Sequence, residues 1–267
     1  SANRLQTVTV DLTPGDNSVA DGAVYQTHYG YEGTSTRIAS VAQSDGSSLA
    51  ITYVDVGGGN HRVASLRNAL GELTSFTYGA GFATVTDPLL QVTRYEFDAQ
   101  GQVTRIAIPT ATGSASERVF TYSATGDVLS VTDGEGNAIH YEYDANGNQV
   151  LERDAAGNTV RRTYDPGNRL RTETTYAQPD PDGAGPALPT SPQTQRHVYD
   201  PDGRHLLRFI VRPDGGVTEH RYNGFGERIE TLVHAGERFA VQALAPEEPI
   251  GIAALEAHRY HEAIESF

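Results

Sequence analysis

Apolar and polar positions alternate in short runs along most of this chain. Ile139, Tyr141 and Tyr143 alternate with His140 and Glu142, which is the period of two of a half-buried strand. Near the start, Thr7-Val8-Thr9-Val10 alternates in the same way until Pro14-Gly15-Asp16-Asn17 breaks the run. The stretch from Tyr143 to Tyr164 holds two extended runs and two turns, at Asn146-Gly147-Asn148 and at Ala156-Gly157-Asn158. Asn-Gly supplies the positive φ angles of tight hairpin turns. Asp144, next to the Tyr, can hydrogen-bond its own backbone as the chain leaves the strand. The pattern predicts hairpins, and one hairpin cannot hide its apolar face alone.

The hairpins repeat. Gly126, Asp133 and Gly136 follow Tyr122 at the offsets at which Gly147, Asp154 and Gly157 follow Tyr143, in adjacent units of 21 residues. Agreement at three fixed offsets marks an internal repeat. Its closing aromatics fall at Tyr31, Tyr53, Tyr78, Phe97, Tyr122, Tyr143, Tyr164, Tyr199 and Tyr222. Turn glycines recur seven residues before the aromatic (Gly46, Gly71, Gly136, Gly157, Gly215) and four after it (Gly101, Gly126, Gly147, Gly203, Gly226). Leu90 occupies a turn position that is Gly elsewhere, so that turn is expected to be built differently. Same-face aromatic pairs recur at Tyr29 and Tyr31, Phe76 and Tyr78, Tyr95 and Phe97, Phe120 and Tyr122, and Tyr141 and Tyr143. They read as a packing ladder along one face, with stacking of a sugar ligand as the rival use.

The pattern divides the chain. Residues 1–24 read as an opening strand and linker, and residues 25–239 as the hairpin array with a loop insertion at 177–195. The run from Gln178 to Pro192 is rich in Pro and Gly and reads as an exposed loop, because Pro cannot donate to a ladder. Residues 240–267 read as a linker and an amphipathic helix, with Ile252, Leu255, Tyr260 and Ile264 at helical spacing and Glu247 and Glu248 at its start. The fold predicted is all-β, a curved or spiralling antiparallel sheet with a C-terminal helix. An apolar fraction of 37% predicts a thin core. Open sheet edges need cover, expected from residues 5–12 at one end and the helix 250–264 at the other.

Charge narrows the partners. A net charge of −14 argues against nucleic acid and against an anionic membrane surface. The apolar runs are too short to span a bilayer. With no Cys, disulfides and thiolate metal sites are absent. The lack of any Met, with a start at Ser1-Ala2-Asn3, reads as a piece of something longer.

Catalytic chemistry has little support. No Gly-x-Ser-x-Gly is present, and nothing marks any two of the 34 acidic residues as a pair for glycoside hydrolysis. His258, His261 and Glu262 form an incomplete metal set. Asp180-Pro181-Asp182 and Asp200-Pro201-Asp202 read as turns rather than calcium loops. Neither enzymatic activity nor a cofactor is expected.

Three motifs carry a family likeness: Tyr143-Asp144-Ala145-Asn146-Gly147-Asn148, Asp154-Ala155-Ala156-Gly157-Asn158-Thr159-Val160 and Tyr199-Asp200-Pro201-Asp202-Gly203-Arg204. They resemble the YD repeat of Rhs proteins, over about Tyr25 to Phe239. Tyr-Asp itself stands at Tyr143, Tyr164 and Tyr199, with Phe97-Asp98 a near match. The resemblance implies a long spiralling sheet. In polymorphic toxins and insecticidal toxin complexes it closes into a shell around a toxic domain, and in teneurins it forms a barrel on a cell-surface receptor. It also implies an exported bacterial protein, extracellular or at the cell surface. The expectation is a structural and interaction module whose partners are the adjacent repeats of a parent chain. Two alternatives stand beside it: an adhesin module for glycans or a cell-surface protein, and a fragment of a toxin-encapsulating shell.

Overall fold

The computed structural model describes residues 4–16, 18–20, 22–109, 115–180, 188–234, 236, 238–257 and 264–266. The chain forms two compact units, Ser1–Val119 and Phe120–Phe267. The first contains β1 (Thr7–Asp11), β2 (Val24–Tyr31), β3 (Ile38–Gln43), β4 (Ser48–Asp55), β5 (His61–Asn68), β6 (Leu73–Gly79), β7 (Phe82–Thr86), β8 (Val92–Phe97) and β9 (Val103–Pro109). It ends in β10 (Ala115–Tyr122), whose residues up to Val119 pair with β9. Each strand pairs antiparallel with the next in sequence. The result is a continuous meander of hairpins.

The second unit continues the same plan. It contains β11 (Val128–Asp133), β12 (Ala138–Tyr143), β13 (Gln149–Arg153), β14 (Thr159–Tyr164), β15 (Leu170–Gln178), β16 (Thr190–Tyr199), β17 (Leu207–Val211), β18 (Val217–Tyr222) and β19 (Arg228–His234). A short helix α1 (Ile252–Glu256) and a last strand β20 (Ile264–Ser266) follow. Sequential antiparallel pairing runs from β11 to β20. Among the described residues, no helix is long and apolar enough to cross a membrane.

One turn chemistry makes most of these hairpins. In the turn from Asp144 to Asn148, the Gly147 amide donates to the Asp144 carbonyl at 3.0 Å and the Asp144 amide to the Asn148 carbonyl at 2.9 Å. The Asp144 carboxylate accepts from the amides of Asn146 and Asn148, each at 2.9 Å. Gly147 has φ +82° while Asn146 stays out of the left-handed region. This is a type I turn followed by a left-handed residue, not the two-residue Asn-Gly turn with both central φ positive. All ten glycines at the recurring turn positions take positive φ; Gly203 does so in a wider turn between Asp200 and Leu206. Leu90 departs from expectation. It adopts φ +65° and donates to the Asp87 carbonyl at 2.9 Å, so its turn has the common geometry despite a side chain that disfavours it.

Other sequence expectations shift. β15 extends to Gln178 and β16 begins at Thr190, with Pro192 opposite Tyr176, so the Pro-rich loop is shorter than its composition suggests; residues 181–187 lie outside the described residues. Among the described residues the C-terminal helix runs over Ile252–Glu256 and Ile264 lies in a strand opposite His234, while residues 258–263, with Tyr260, lie outside the described residues. Apolar spacing at 252, 255, 260 and 264 was compatible with a helix, but the ladder offered by β19 is satisfied by an extended chain. The terminal strands in the ladder are β1, paired with β2, and β20, paired with β19.

The core is thin and local. Among the described residues, every buried side chain belongs to the second unit. Val198, Phe209, Val211, Val217, Val241, Ile250 and Leu255 form one cluster, with Phe239, Leu244 and Ile252 packed against it. Residues 239–257 thus lie as a strap across one face of the sheet.

Candidate functional site: the repeat joint and the covered face

Seven of the nine repeat aromatics mark a joint. Register shifts by one residue at Tyr31, Tyr53, Phe97, Tyr143, Tyr164, Tyr199 and Tyr222. After the turn, Gln149 sits opposite Tyr143 and Leu151 opposite Glu142, leaving Val150 as the extra residue. Such a bulge disrupts the ladder locally and strands backbone polar groups.

The next unit resolves the problem. The Tyr53 hydroxyl donates to the Ile38 carbonyl at 2.8 Å, and Ile38 is the residue opposite Tyr31. Tyr78 reaches Val63, opposite Tyr53, at 2.8 Å. Tyr199 reaches Leu170, opposite Tyr164, at 3.0 Å, and Tyr222 reaches Leu207, opposite Tyr199, at 2.8 Å. Tyr164 reaches Gln149, opposite Tyr143, at 3.1 Å. Every one of these tyrosines closes the bulge of the unit before it.

The exception follows the same logic. The β6–β7 hairpin runs without a register shift from Ser75 to Gly79. The next repeat aromatic is Phe97, the one member of the series without a hydroxyl. Where no bulge leaves a carbonyl, no phenol is supplied.

An arginine completes four joints. The guanidinium carbons of Arg4, Arg37, Arg62 and Arg169 lie 5.0, 5.7, 5.1 and 4.9 Å from the ring centroids of Tyr31, Tyr53, Tyr78 and Tyr199. Each arginine immediately precedes the residue whose carbonyl that tyrosine holds. Cation–π attraction of this kind contributes about 0.5–1 kcal/mol at exposed sites. Sequence reading missed these arginines, although Arg37 and Arg62 both stand sixteen residues before an aromatic.

The structure places all ten paired aromatics in half-buried positions: Tyr29, Tyr31, Phe76, Tyr78, Tyr95, Phe97, Phe120, Tyr122, Tyr141 and Tyr143. Successive pairs do not meet directly. A strand bearing aliphatic side chains intervenes, as with Val41 opposite Tyr29, Val85 opposite Phe76 and Ile106 opposite Tyr95. Arg4 and Arg62 cover a face of Tyr31 and Tyr78, which leaves less ring for a stacked ligand.

The opposite face carries a series of rungs, each formed by the residue before the aromatic and its cross-strand partner. They are Gly30 and Ser40, Thr52 and Ser65, Thr77 and Thr84, Glu96 and Arg105, Glu142 and Leu151, Thr163 and Thr172, Val198 and Phe209, and Arg221 and Glu230. Hydroxyl rungs hydrogen-bond, at 2.6 Å for Thr52 with Ser65 and for Thr163 with Thr172. At Gly30 an added Cβ would stand 2.3 Å from the Ser40 hydroxyl, so that hydroxyl would have to rotate away. The one wholly apolar rung, Val198 and Phe209, lies beneath the strap.

Polar contacts pin that strap. Arg196, only 3% exposed, donates to the carbonyls of Glu248 at 2.8 Å and Ala245 at 2.9 Å. Thr174 and Thr194 donate to the Pro246 carbonyl at 3.2 and 2.8 Å. Burial holds the Arg196 guanidinium below its usual pKa, with Glu248 partly opposing. Burial also raises the Glu219 carboxyl, but hydrogen bonds from Arg208 and Arg221 outweigh it and leave the group below the usual range. His197 is pushed down by burial, against the field of Glu173. All of these groups are held in structural contacts.

Among the described residues, no group of three His, Asp or Glu side chains could hold a metal ion. Asp200 pairs with Arg208 at 3.2 Å and Asp202 with Arg204 at 2.5 Å. Asp182, His258, His261 and Glu262 lie outside the described residues.

The RHS Repeat family model matches residues 122–159. No curated protein matches the chain. Among solved structures, a TcdB2-TccC3-TEV protein is 16% identical over 78% of this chain and 13% of its own, with a TM-score of 0.49. The Tc holotoxin pore of Photorhabdus luminescens is 13% identical over 86% of this chain and 14% of its own, with a TM-score of 0.41. A porin-like protein from Bacteroides uniformis is 11% identical over 79% and 88%, with a TM-score of 0.31. The chain therefore spans about an eighth of the length of the toxin chains it resembles.

Proposed function

Residues 122–159 match the RHS Repeat family model, and from that premise we propose that the chain is an RHS-repeat scaffold segment of a larger exported bacterial protein. Its work is architectural. Each hairpin presents a bulge whose stranded carbonyl is closed by the tyrosine of the next, so the array extends unit by unit and its stability sums along the chain. The observation that carries this reading is the recurring hydroxyl closure of the bulge, together with the pairing of an unshifted hairpin at Tyr78 with a hydroxyl-free Phe97 in the next unit. The strap supplies the one dry core, fixing the end of the described array while the rest stays two-sided and half-solvated.

An excision experiment tests the proposal. Removing Asp144 to Tyr164 takes out one whole unit and joins Tyr143 to Asp165, which restores a Tyr-Asp joint with every later strand in its original direction. Removing Asp144 to Arg153 takes out one turn and one strand and reverses every strand that follows. The scaffold reading expects the first variant to keep its circular dichroism and its strap protected from protease, and the second to lose strap protection. Loss of structure in the whole-unit variant, or equal tolerance of both, rejects a modular array.

A further inference from the structure

The hairpin tips at one end of the first unit carry leucines that none of its described residues covers. Leu70, in the turn from Asn68 to Glu72, is 84% exposed, and Leu89 and Leu90, in the turn from Asp87 to Gln91, are 79% and 80% exposed. These turns close the β5–β6 and β7–β8 hairpins, so they lie on the same end of the sheet. Two strand spacings separate them, roughly 10 Å. The equivalent middle position of the neighbouring β3–β4 turn is the polar Asp45.

Leu90 also carries a conformational burden. Its φ of +65° is the conformation that Gly46 and Gly71 take in the neighbouring turns, and a Cβ makes it unfavourable. The turn is held there by the Asp87 carboxylate, which accepts from the amides of Leu89 at 2.9 Å and Gln91 at 2.8 Å. A strained leucine left exposed among the described residues fits a contact made elsewhere.

The surrounding charge selects among occupants. Asp45, Glu72 and Asp87 stand in the three neighbouring turns at this end, while Arg67 is turned onto the Gly71 carbonyl at 2.9 Å. An anionic lipid surface is repelled by this rim. A second copy of the patch brings the same acidic groups against it. A cationic and apolar partner is complementary in both respects. We propose that the Leu70, Leu89 and Leu90 tips form a docking patch for a basic amphipathic segment of a partner protein, its apolar side chains on the leucines and its Lys or Arg side chains on the acidic rim. The inference goes beyond the scaffold role and does not depend on it.

The test uses the whole chain and a fluorescent 14-residue Lys/Leu amphipathic peptide, with a Lys/Ser peptide of equal charge as control, read by anisotropy. The Lys/Leu peptide should bind more tightly than the control. Replacing the tips together (L70S, L89S, L90G) should weaken it by at least about tenfold. L90G places at that position the residue used in the neighbouring turns, so the fold is not at risk there. Leu188→Ser, at another exposed leucine, should leave binding unchanged, and E72Q with D87N should weaken it and flatten its salt dependence. Equal binding of both peptides, or binding that survives the triple replacement, overturns the proposal. So does the discovery that the leucines instead mediate self-association or adsorption to anionic vesicles.

Discussion

Replacing Tyr53 by Phe isolates the joint. The change keeps the ring, and with it the Arg37 contact at 5.7 Å, and removes only the hydroxyl that donates to the Ile38 carbonyl at 2.8 Å. A neutral hydrogen bond contributes about 0.5–1.5 kcal/mol net, and a carbonyl left without a partner costs more when water is kept out. Here the surroundings are half-buried, so water can reach part of the orphaned oxygen and the expected loss is about 1 kcal/mol. A repeat array opens locally rather than as one two-state body, so the loss should be read locally. Native-state hydrogen exchange should show amides of the β3–β4 hairpin opening about fivefold more often. Tyr95→Phe is the matched control, because the Tyr95 hydroxyl has no hydrogen-bond partner among the described residues. If the two variants exchange alike, the tyrosine does not close the bulge and the account of the joint fails.

Three further expectations follow from the same geometry. Phe97→Tyr should leave exchange in β6–β8 within about twofold of the parent, because the unshifted hairpin before it offers no stranded carbonyl; a clear slowing would show that the added hydroxyl found a partner. Asp133, Asp144 and Asp154 are held below the usual carboxylate range, chiefly by the side-chain amides of Asn137, Asn148 and Asn158. Their contribution is therefore complete above the unfolded value near 4 and is lost as pH falls through the lower folded values. Turn amides should open below about pH 4, and Asp144→Asn should remove that acid response from its own turn in an NMR titration. Arg196→Met strips the donors from the Ala245 and Glu248 carbonyls, at about 1–3 kcal/mol for each group left unpaired. Limited proteolysis should then cut within 239–257 while β12–β14 stay protected, and a strap that remains resistant would mean the apolar cluster alone holds it.

The hairpins were legible because their determinants are local. A turn is decided within five residues, and the offsets of Gly147 and Gly157 from Tyr143 carry it directly. What the sequence hid was the part decided across units. The tyrosine hydroxyl acts on a carbonyl fifteen residues back, as from Tyr53 to Ile38, or twenty-nine back across the longer β15–β16 interval, as from Tyr199 to Leu170. A residue spacing of that kind has no meaning until the bulge is known. The C-terminal helix was overextended for a related reason. Spacing at 252, 255, 260 and 264 fits one face of a helix, but the pairing of Ile264 with His234 depends on a sheet edge that local pattern cannot display. Leu90 erred in the other direction, since side-chain preference argued for a different turn while the carboxylate of Asp87 imposed the common one.

The rungs explain why the strap settles where it does. A sheet built from identical hairpins offers many equivalent faces, and an apolar strap could slide among them. Hydroxyl rungs such as Thr52 with Ser65 satisfy each other across the strands and gain little from being covered. The ion rung of Glu96 with Arg105 would lose hydration beneath an apolar segment. Only at Val198 and Phe209 are both members of a named rung apolar, and burial of such surface is favourable at roughly 25 cal/mol per Å². Beside it, Arg196 and Thr194 supply the donors that an extended backbone needs. The change from polar to apolar at that single position, with donors next to it, gives a repetitive surface one preferred address. The same repeat that makes the sheet extendable thus also specifies, through one altered rung, where its face becomes a core.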